Sequence, residues 1–130
     1  MKPRTAADIM TQPVISALPA MRLTDVMALL LRWHISGMPV TDEQGALVGV
    51  ITEHDLLNPA LSGHANDTTV EEVMSRQIIS FPPATRVEEL VNAFVTRRLR
   101  RVPIVEAGKV AGIVSRRDIL RELQRLYSGE

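Results

Sequence analysis

The sequence predicts an α/β chain of the α+β kind, built from two successive βαββα repeats, and three observations predict it. The same residue patterns recur at a nearly fixed spacing along the 130 residues. Within each copy the apolar positions follow a helical and then a strand period in the same order. Each copy also carries a glycine, two β-branched residues, a hydroxyl residue and an aspartate where an apolar strand turns into a helix.

Those turns are Gly49-Val50-Ile51-Thr52-Glu53-His54-Asp55 and Gly112-Ile113-Val114-Ser115-Arg116-Arg117-Asp118. Upstream, Asp8-Ile9-Met10 matches Glu72-Val73-Met74, Val14-Ile15-Ser16 matches Ile78-Ile79-Ser80, and Met38-Pro39-Val40 matches Val102-Pro103-Ile104, all at an offset of 64 (74 − 10). The glycines and aspartates match at 63 (118 − 55), so one residue is lost in the intervening turn, where a deletion is best tolerated. The repeats are expected over residues 1–62 and 70–130, with 63–69 as a linker.

Each copy opens with a short helix. Thr69 and Glu72 have capping-box spacing just before Val73-Met74. A brief strand over Ile78-Ile79-Ser80 is expected to stop at Pro82-Pro83. Val87, Leu90, Val91 and Phe94 then follow i, i+3, i+4, i+7, the stripe of a core-facing helix, with Glu88 and Glu89 near its start and Arg97 and Arg98 near its end suiting the helix dipole. A hairpin follows, Val102 to Val105 and Val110 to Val114 around Glu106-Ala107-Gly108-Lys109, with Asp42-Glu43-Gln44-Gly45 as the equivalent turn of the first copy. The last helix presents Ile119, Leu120, Leu123, Leu126 and Tyr127. Its counterpart is expected to end at Asn58-Pro59, before a polar stretch from Ser62 to Asp67.

Composition weighs against several classes of function. Fifteen basic and fifteen acidic residues cancel, which does not fit a general nucleic-acid or anionic-membrane binder. The balance is uneven: eleven basic and nine acidic residues follow residue 65, leaving the second half at +2 and the first at −2. The absence of cysteine removes disulfides and thiolate metal sites and fits a reducing cytoplasm. Met1-Lys2-Pro3-Arg4-Thr5 leads into mixed sequence rather than a signal-peptide core, and no run approaches the ~18 apolar residues of a membrane span. A cytoplasmic protein without a membrane segment is expected. His34, His54 and His64 lack ligand spacing, so no metal is expected, and no nucleophile has a neighbouring base, so neither is an enzyme.

Two copies that close with Gly-h-h-[Ser/Thr]-x-x-Asp (h apolar) after an h-Pro-h strand, in register with the Asp-Ile-Met and Glu-Val-Met starts, resemble a tandem pair of CBS domains. The resemblance covers nearly the whole chain. It implies a stand-alone Bateman module: two repeats packed sheet to sheet about a pseudo-two-fold axis, with two equivalent clefts. It further implies a regulatory ligand of adenine-nucleotide type (AMP, ADP or ATP, with S-adenosylmethionine as a further candidate) and no obligatory cofactor. A homodimer forming a disc of four repeats is implied as well, and the regulated partner would be another polypeptide.

A ribose offers two adjacent hydroxyls, and a carboxylate can accept one on each oxygen. The resemblance makes Asp118 and Asp55 the acceptors and puts Ser115 or Thr52 beside them, each with an adenine slot from the other repeat. For the Asp118 cleft that slot is Met10, Ile15, Ile35 and Ser36. The Asp55 cleft adds His54 to Thr52 and Asp55, and takes Met74, Ile79, Leu99 and Arg100. Arg116 and Arg117 at a helix start oppose the dipole, a cost of up to about 1 kcal/mol each that an anion would relieve. Arg100 and Arg101 could converge on the same place and bind phosphate oxygens bidentately. The matching residues Ser36, Gly37, Glu53 and His54 are poor phosphate chemistry, so the Asp118 cleft, with Arg101 and Arg117, is favoured.

Plainer readings stand beside these. The aspartates could serve only to start helices, the glycines only to allow close packing, and the arginines only to solvate a face. Arg97, Arg98, Arg100, Arg101 and the Arg117/Arg121/Arg125 stripe motivate a nucleic-acid alternative. The run Val26-Met27-Ala28-Leu29-Leu30-Leu31, with Trp33 at a helix end, motivates a ligand-free dimerisation scaffold.

Overall fold

The computed structural model describes residues 4–129, so Met1-Lys2-Pro3, read above for a leader, lie outside the described residues. The chain is α+β and divides into two compact units that cut across the sequence repeat. A central unit runs from Ile15 to Ile78, and a terminal unit joins the segment up to Val14 with everything from Ile79 onward.

In the central unit, α2 (Leu23–Trp33) leads to the antiparallel pair β1 (Gly37–Thr41) and β2 (Leu47–Thr52), then α3 (Glu53–Leu61) and the short α4 (Val70–Val73). In the terminal unit, the short α1 (Ala6–Ile9) belongs with α5 (Val87–Arg97), the antiparallel pair β3 (Arg101–Glu106) and β4 (Lys109–Ser115), and α6 (Arg116–Tyr127). Each unit has one core. Leu23, Val26, Leu30, Met38, Val40, Ile51 and Leu56 build the central one, and Leu90, Phe94, Val102, Ile104, Val114 and Ile119 the terminal one.

The predicted helical stripe is real: Val87, Leu90 and Phe94 are buried, and Val91 packs against the same core. Helices α2 and α5 both end at a residue with positive φ, His34 (52°) and Arg98 (53°), at matching positions of the repeat. The deleted residue lies where expected. β3 and β4 join through a two-residue turn with Ala107 and Gly108 both at positive φ, which suits the strand twist. β1 and β2 join through a longer loop closed by Asp42, whose Oδ1 accepts from the N–H groups of Gln44 and Ala46, both at 2.9 Å.

Two expectations are corrected. Val14-Ile15-Ser16 and Ile78-Ile79-Ser80 are not strands. Pairing is confined to single parallel bridges one residue later, Ala17 with Val40 and Phe81 with Ile104. Phe81 donates to Pro103 O at 3.2 Å and accepts from Val105 N–H at 2.9 Å, after which Pro82-Pro83 have no N–H to continue. The same geometry explains Pro39 and Pro103 inside buried strands, because the missing donor faces an edge where only one bridge forms. Second, α3 does not end at Asn58-Pro59 but runs to Leu61. Pro59 removes only its own N–H from the helical ladder, and the last turn still closes by Ser62 N–H to Asn58 O (3.1 Å) and His64 N–H to Pro59 O (2.8 Å). Of the apolar residues that α6 presents, Ile119 and Leu123 reach the core, while Leu120, Leu126 and Tyr127 are exposed.

The opening segment of each sequence copy serves the hairpin of the other. In the terminal unit Ala6 N–H donates to Thr85 O (2.7 Å), and Thr11 pairs with Ile113 on β4 through bonds of 2.8 and 3.1 Å. In the central unit Val70 N–H donates to Met21 O (2.9 Å), and Ser75 pairs with Val50 on β2 at 3.0 and 2.9 Å. The motif glycine makes this approach possible. A Cβ on Gly49 would lie 2.6 Å from Met74 Sδ, and one on Gly112 would meet Met10 Sδ and lie 2.7 Å from its Cγ. A Gly112→Ala variant is therefore expected to lose about 1–3 kcal/mol through overpacking. Its urea midpoint should recover part of that loss when Met10→Ala is added, and an unchanged midpoint in the single variant would count against the contact.

Candidate functional site

At one end of each hairpin the first strand begins opposite the motif hydroxyl: Gly37 pairs with Thr52, and Arg101 with Ser115. The next helix starts there and is tied back to the residue before the first strand. Glu53 N–H donates to Ser36 O (2.9 Å) and Arg116 N–H to Arg100 O (3.0 Å). The terminal unit thus gathers Arg100, Arg101, Ser115, Arg116 and Arg117 at one hairpin end, with Arg100, Arg116 and Arg117 exposed. At the matching end of the central unit stand Ser36, Gly37, Thr52, Glu53 and His54.

Both aspartates sit in the first turn of a helix. Asp55 Oδ2 accepts from Thr52 N–H (2.8 Å) and Thr52 Oγ1 (3.2 Å), and the residue is half-buried. Asp118 Oδ2 accepts likewise from Ser115 N–H (2.8 Å) and Oγ (3.1 Å), and Ser115 Oγ accepts in return from Asp118 N–H (3.3 Å). Asp118, only 5% exposed, does more. Thr11 Oγ1 donates towards its two oxygens at 3.1 and 3.3 Å, and Arg121 donates to Oδ1 at 3.1 Å. The matching hydroxyl of Ser75 instead bonds the carbonyl of Gln77 at 3.4 Å.

The residues expected to frame the two clefts are shared between the units. Met10, Arg101, Ser115, Arg117 and Asp118 lie in the terminal unit, and Ile15, Ile35 and Ser36 in the central one. Of the other set, Thr52, His54, Asp55 and Met74 are central, while Ile79, Leu99 and Arg100 are terminal. Several of these side chains have packing work within their own unit. Met10 and Leu99 pack on the terminal core, Ile15, Ile35 and Met74 belong to the central one, and Ile79 is 36% exposed.

A polar cluster on α6 escaped the sequence reading. Glu122, its side chain 2% exposed, is held by two bonds from Arg4 (both 3.2 Å) and two from Arg125 (3.0 and 2.9 Å). Those arginines lower its carboxyl to about 2 from an ordinary 4.5, Arg125 first and then Arg4, against the opposing effect of burial. Arg4, Asp8, Asp118, Arg121, Glu122 and Arg125 line an open groove of about 580 Å³ in the terminal unit. Two arginines of the Arg117/Arg121/Arg125 stripe are thereby paired with buried carboxylates, which weakens it as a surface for nucleic acid. Arg4 and Glu122 are 118 positions apart and have no counterparts in the other copy, where Thr68 and Pro59 stand, so the repeat could not reveal them. Thr11 was findable, since it and Ser75 carry hydroxyls at matching positions beside matching methionines. Among the described residues no three His, Asp or Glu side chains are placed to hold a metal ion, and no helix is long and apolar enough to cross a membrane.

A family model described as CBS domain matches residues 6–61 and 70–125. The CBS domain-containing protein YhcV of Bacillus subtilis is 31% identical over 113 residues, covering 86% of this chain and 80% of that protein. The A-adding tRNA nucleotidyltransferase of Geobacter sulfurreducens is 30% identical over 126 residues, 97% of this chain but 14% of the enzyme. Among solved structures, the CBS domain pair of protein MJ0100 in complex with 5′-methylthioadenosine and S-adenosyl-L-methionine aligns with a TM-score of 0.80 at 27% identity over 98% of both chains. CBSX2 from Arabidopsis thaliana aligns at 0.89 with 25% identity over 98% of this chain and 99% of that one. CBSX2 in complex with AMP aligns at 0.84 with 26% identity, covering 95% of this chain and 98% of that one.

The Glu122 clamp carries a pH signature. Its folded carboxyl lies below the unfolded value, so the stability it contributes is complete above about pH 4.5 and is lost as pH falls towards about 2. Glu122→Gln should be less stable than the unaltered chain by about 1–3 kcal/mol near neutral pH. Urea titrations across pH should show that gap closing through the acid range, and a pH-independent gap would contradict the assignment.

Proposed function

We propose that this chain, which belongs to the CBS domain family and carries its repeat twice, is a regulatory module that binds an adenosine-containing ligand and passes its occupancy to a partner protein. The observation that carries the reading is the doubled strand-to-helix turn. In each unit a hydroxyl and a carboxylate meet at a helix start, beside a glycine that brings a second backbone segment close. Ser115 with Asp118, or Thr52 with Asp55, would meet the ribose, and the arginines at the end of β3 and β4 would meet a phosphate where the ligand has one. AMP, 5′-methylthioadenosine and S-adenosylmethionine lead the candidates because structurally similar CBS proteins hold them; ADP and ATP follow from the same chemistry. The long relatives support regulation rather than catalysis by this segment, since the chain matches only 14% of the nucleotidyltransferase. The apolar residues Leu31 (77% exposed), Leu57 and Leu61 would serve a homodimer.

Occupancy can act on a partner only if the ligand favours one arrangement of the chain over another. Titration calorimetry with AMP, ADP, ATP, 5′-methylthioadenosine, S-adenosylmethionine and, as a control, GMP is expected to give saturable heat with at least one adenosine ligand. That ligand should bind at least tenfold more tightly than GMP and raise the melting temperature. Absence of heat and of any melting shift across the panel would sink the proposal.

A further inference from the structure

We propose that the two copies of the turn have divided their work: the Asp118 carboxylate is a latch that holds the N-terminal segment, and the Asp55 carboxylate is the one left to receive a ligand diol. The inference rests on the nucleoside reading above and deepens it.

The two carboxylates begin alike, each accepting from the hydroxyl residue three positions earlier, at 2.8 Å from its N–H and at 3.1–3.2 Å from its side chain. They part company at the second oxygen. Asp118 Oδ1 accepts from Thr11 Oγ1 and Arg121, and the carboxylate is 5% exposed. A ribose hydroxyl there would have to displace a bond that already satisfies the group, so little free energy would be gained. One helical turn on, Glu122 holds Arg4, so the segment from Arg4 to Thr11 is fastened to α6 at both ends. Between these points Asp8 accepts from Thr5 N–H at 2.8 Å and closes the short helix.

None of these fastenings is repeated at Asp55. Its Oδ1 accepts no hydrogen bond from any described residue, Ser75 turns its hydroxyl to Gln77, and α3 carries Asn58 and Pro59 where α6 has Arg121 and Glu122. A half-buried carboxylate with one oxygen committed and one open is suited to accept from a hydroxyl. The arginine pattern favours the Asp118 end for an anion, whereas the open diol acceptor lies on the other turn. One ligand per chain follows, although the motif occurs twice.

The test is calorimetry and thermal melting of the full chain and three variants with AMP and 2′-deoxyadenosine monophosphate. Asp55→Asn is expected to weaken AMP at least tenfold with little change in melting temperature. The 2′-deoxy probe should bind the unaltered chain about tenfold more weakly than AMP, but Asp55→Asn no more weakly than AMP does. Thr11→Val and Arg4→Gln, which each remove one fastening of the N-terminal segment, should melt several degrees lower, yet keep AMP affinity within threefold and a stoichiometry of one. Should one of these two fail to fold, the other still reads the latch. The division of work is overturned if Asp55→Asn binds AMP like the unaltered chain, or if either latch variant loses AMP while circular dichroism shows it folded. If the unaltered chain binds neither AMP nor 5′-methylthioadenosine nor S-adenosylmethionine, the nucleoside reading itself falls, and the diol assignment with it.

Discussion

A two-stranded hairpin leaves a row of unpaired backbone groups along each outer edge, and the rest of this structure depends on how those edges are closed. Among the described residues neither β1–β2 nor β3–β4 has a third full strand. Each is completed by single bridges, from Ala17 and Ser75 in the central unit and from Phe81 and Thr11 in the terminal one. Ser75 and Thr11 come from the segment that opens the other sequence copy, so each copy depends on its neighbour for backbone hydrogen bonds. Gly49 and Gly112 follow from the same need, because a side chain there would collide with Met74 or Met10 and hold the closing segment off the strand.

Closing an edge with a short segment creates a second problem, since a four-residue helix has little apolar surface of its own to anchor it. In the central unit the anchor is largely apolar: Val70 is fully buried and Met74 nearly so. The terminal unit adds charge. Arg4 on Glu122 and Thr11 on Asp118 fasten the segment to α6 through two buried carboxylates. The two copies thus share a backbone plan and differ in electrostatics, and a shared motif does not give them the same function.

Much of the fold was legible from local chemistry. The helical stripe from Val87 to Phe94, the two hairpins, the deletion in the turn and the Thr69–Glu72 spacing all depend on residues within a few positions of one another. The misjudged features were those decided by a balance. Ile78-Ile79-Ser80 reads as a strand, but pairing begins only at Phe81 and Pro82-Pro83 end it there, and Pro59 reads as a stop, but the carbonyls of Asn58 and Pro59 still find donors in Ser62 and His64.

The residues alone establish that the chain is a doubled sequence, that each copy carries a hydroxyl and an aspartate at a strand-to-helix turn, and that arginines crowd one copy alone. Repetition and short-range periodicity carry that information within a single stretch of chain. Only the tertiary structure decided which carboxylate oxygens are already satisfied. That depends on Thr11 meeting Asp118 and Arg4 meeting Glu122, contacts across 107 and 118 positions that no local pattern encodes. The reason is that hydrogen-bond capacity is finite: an aspartate read as an acceptor in sequence is one in fact only if no nearer donor has claimed it.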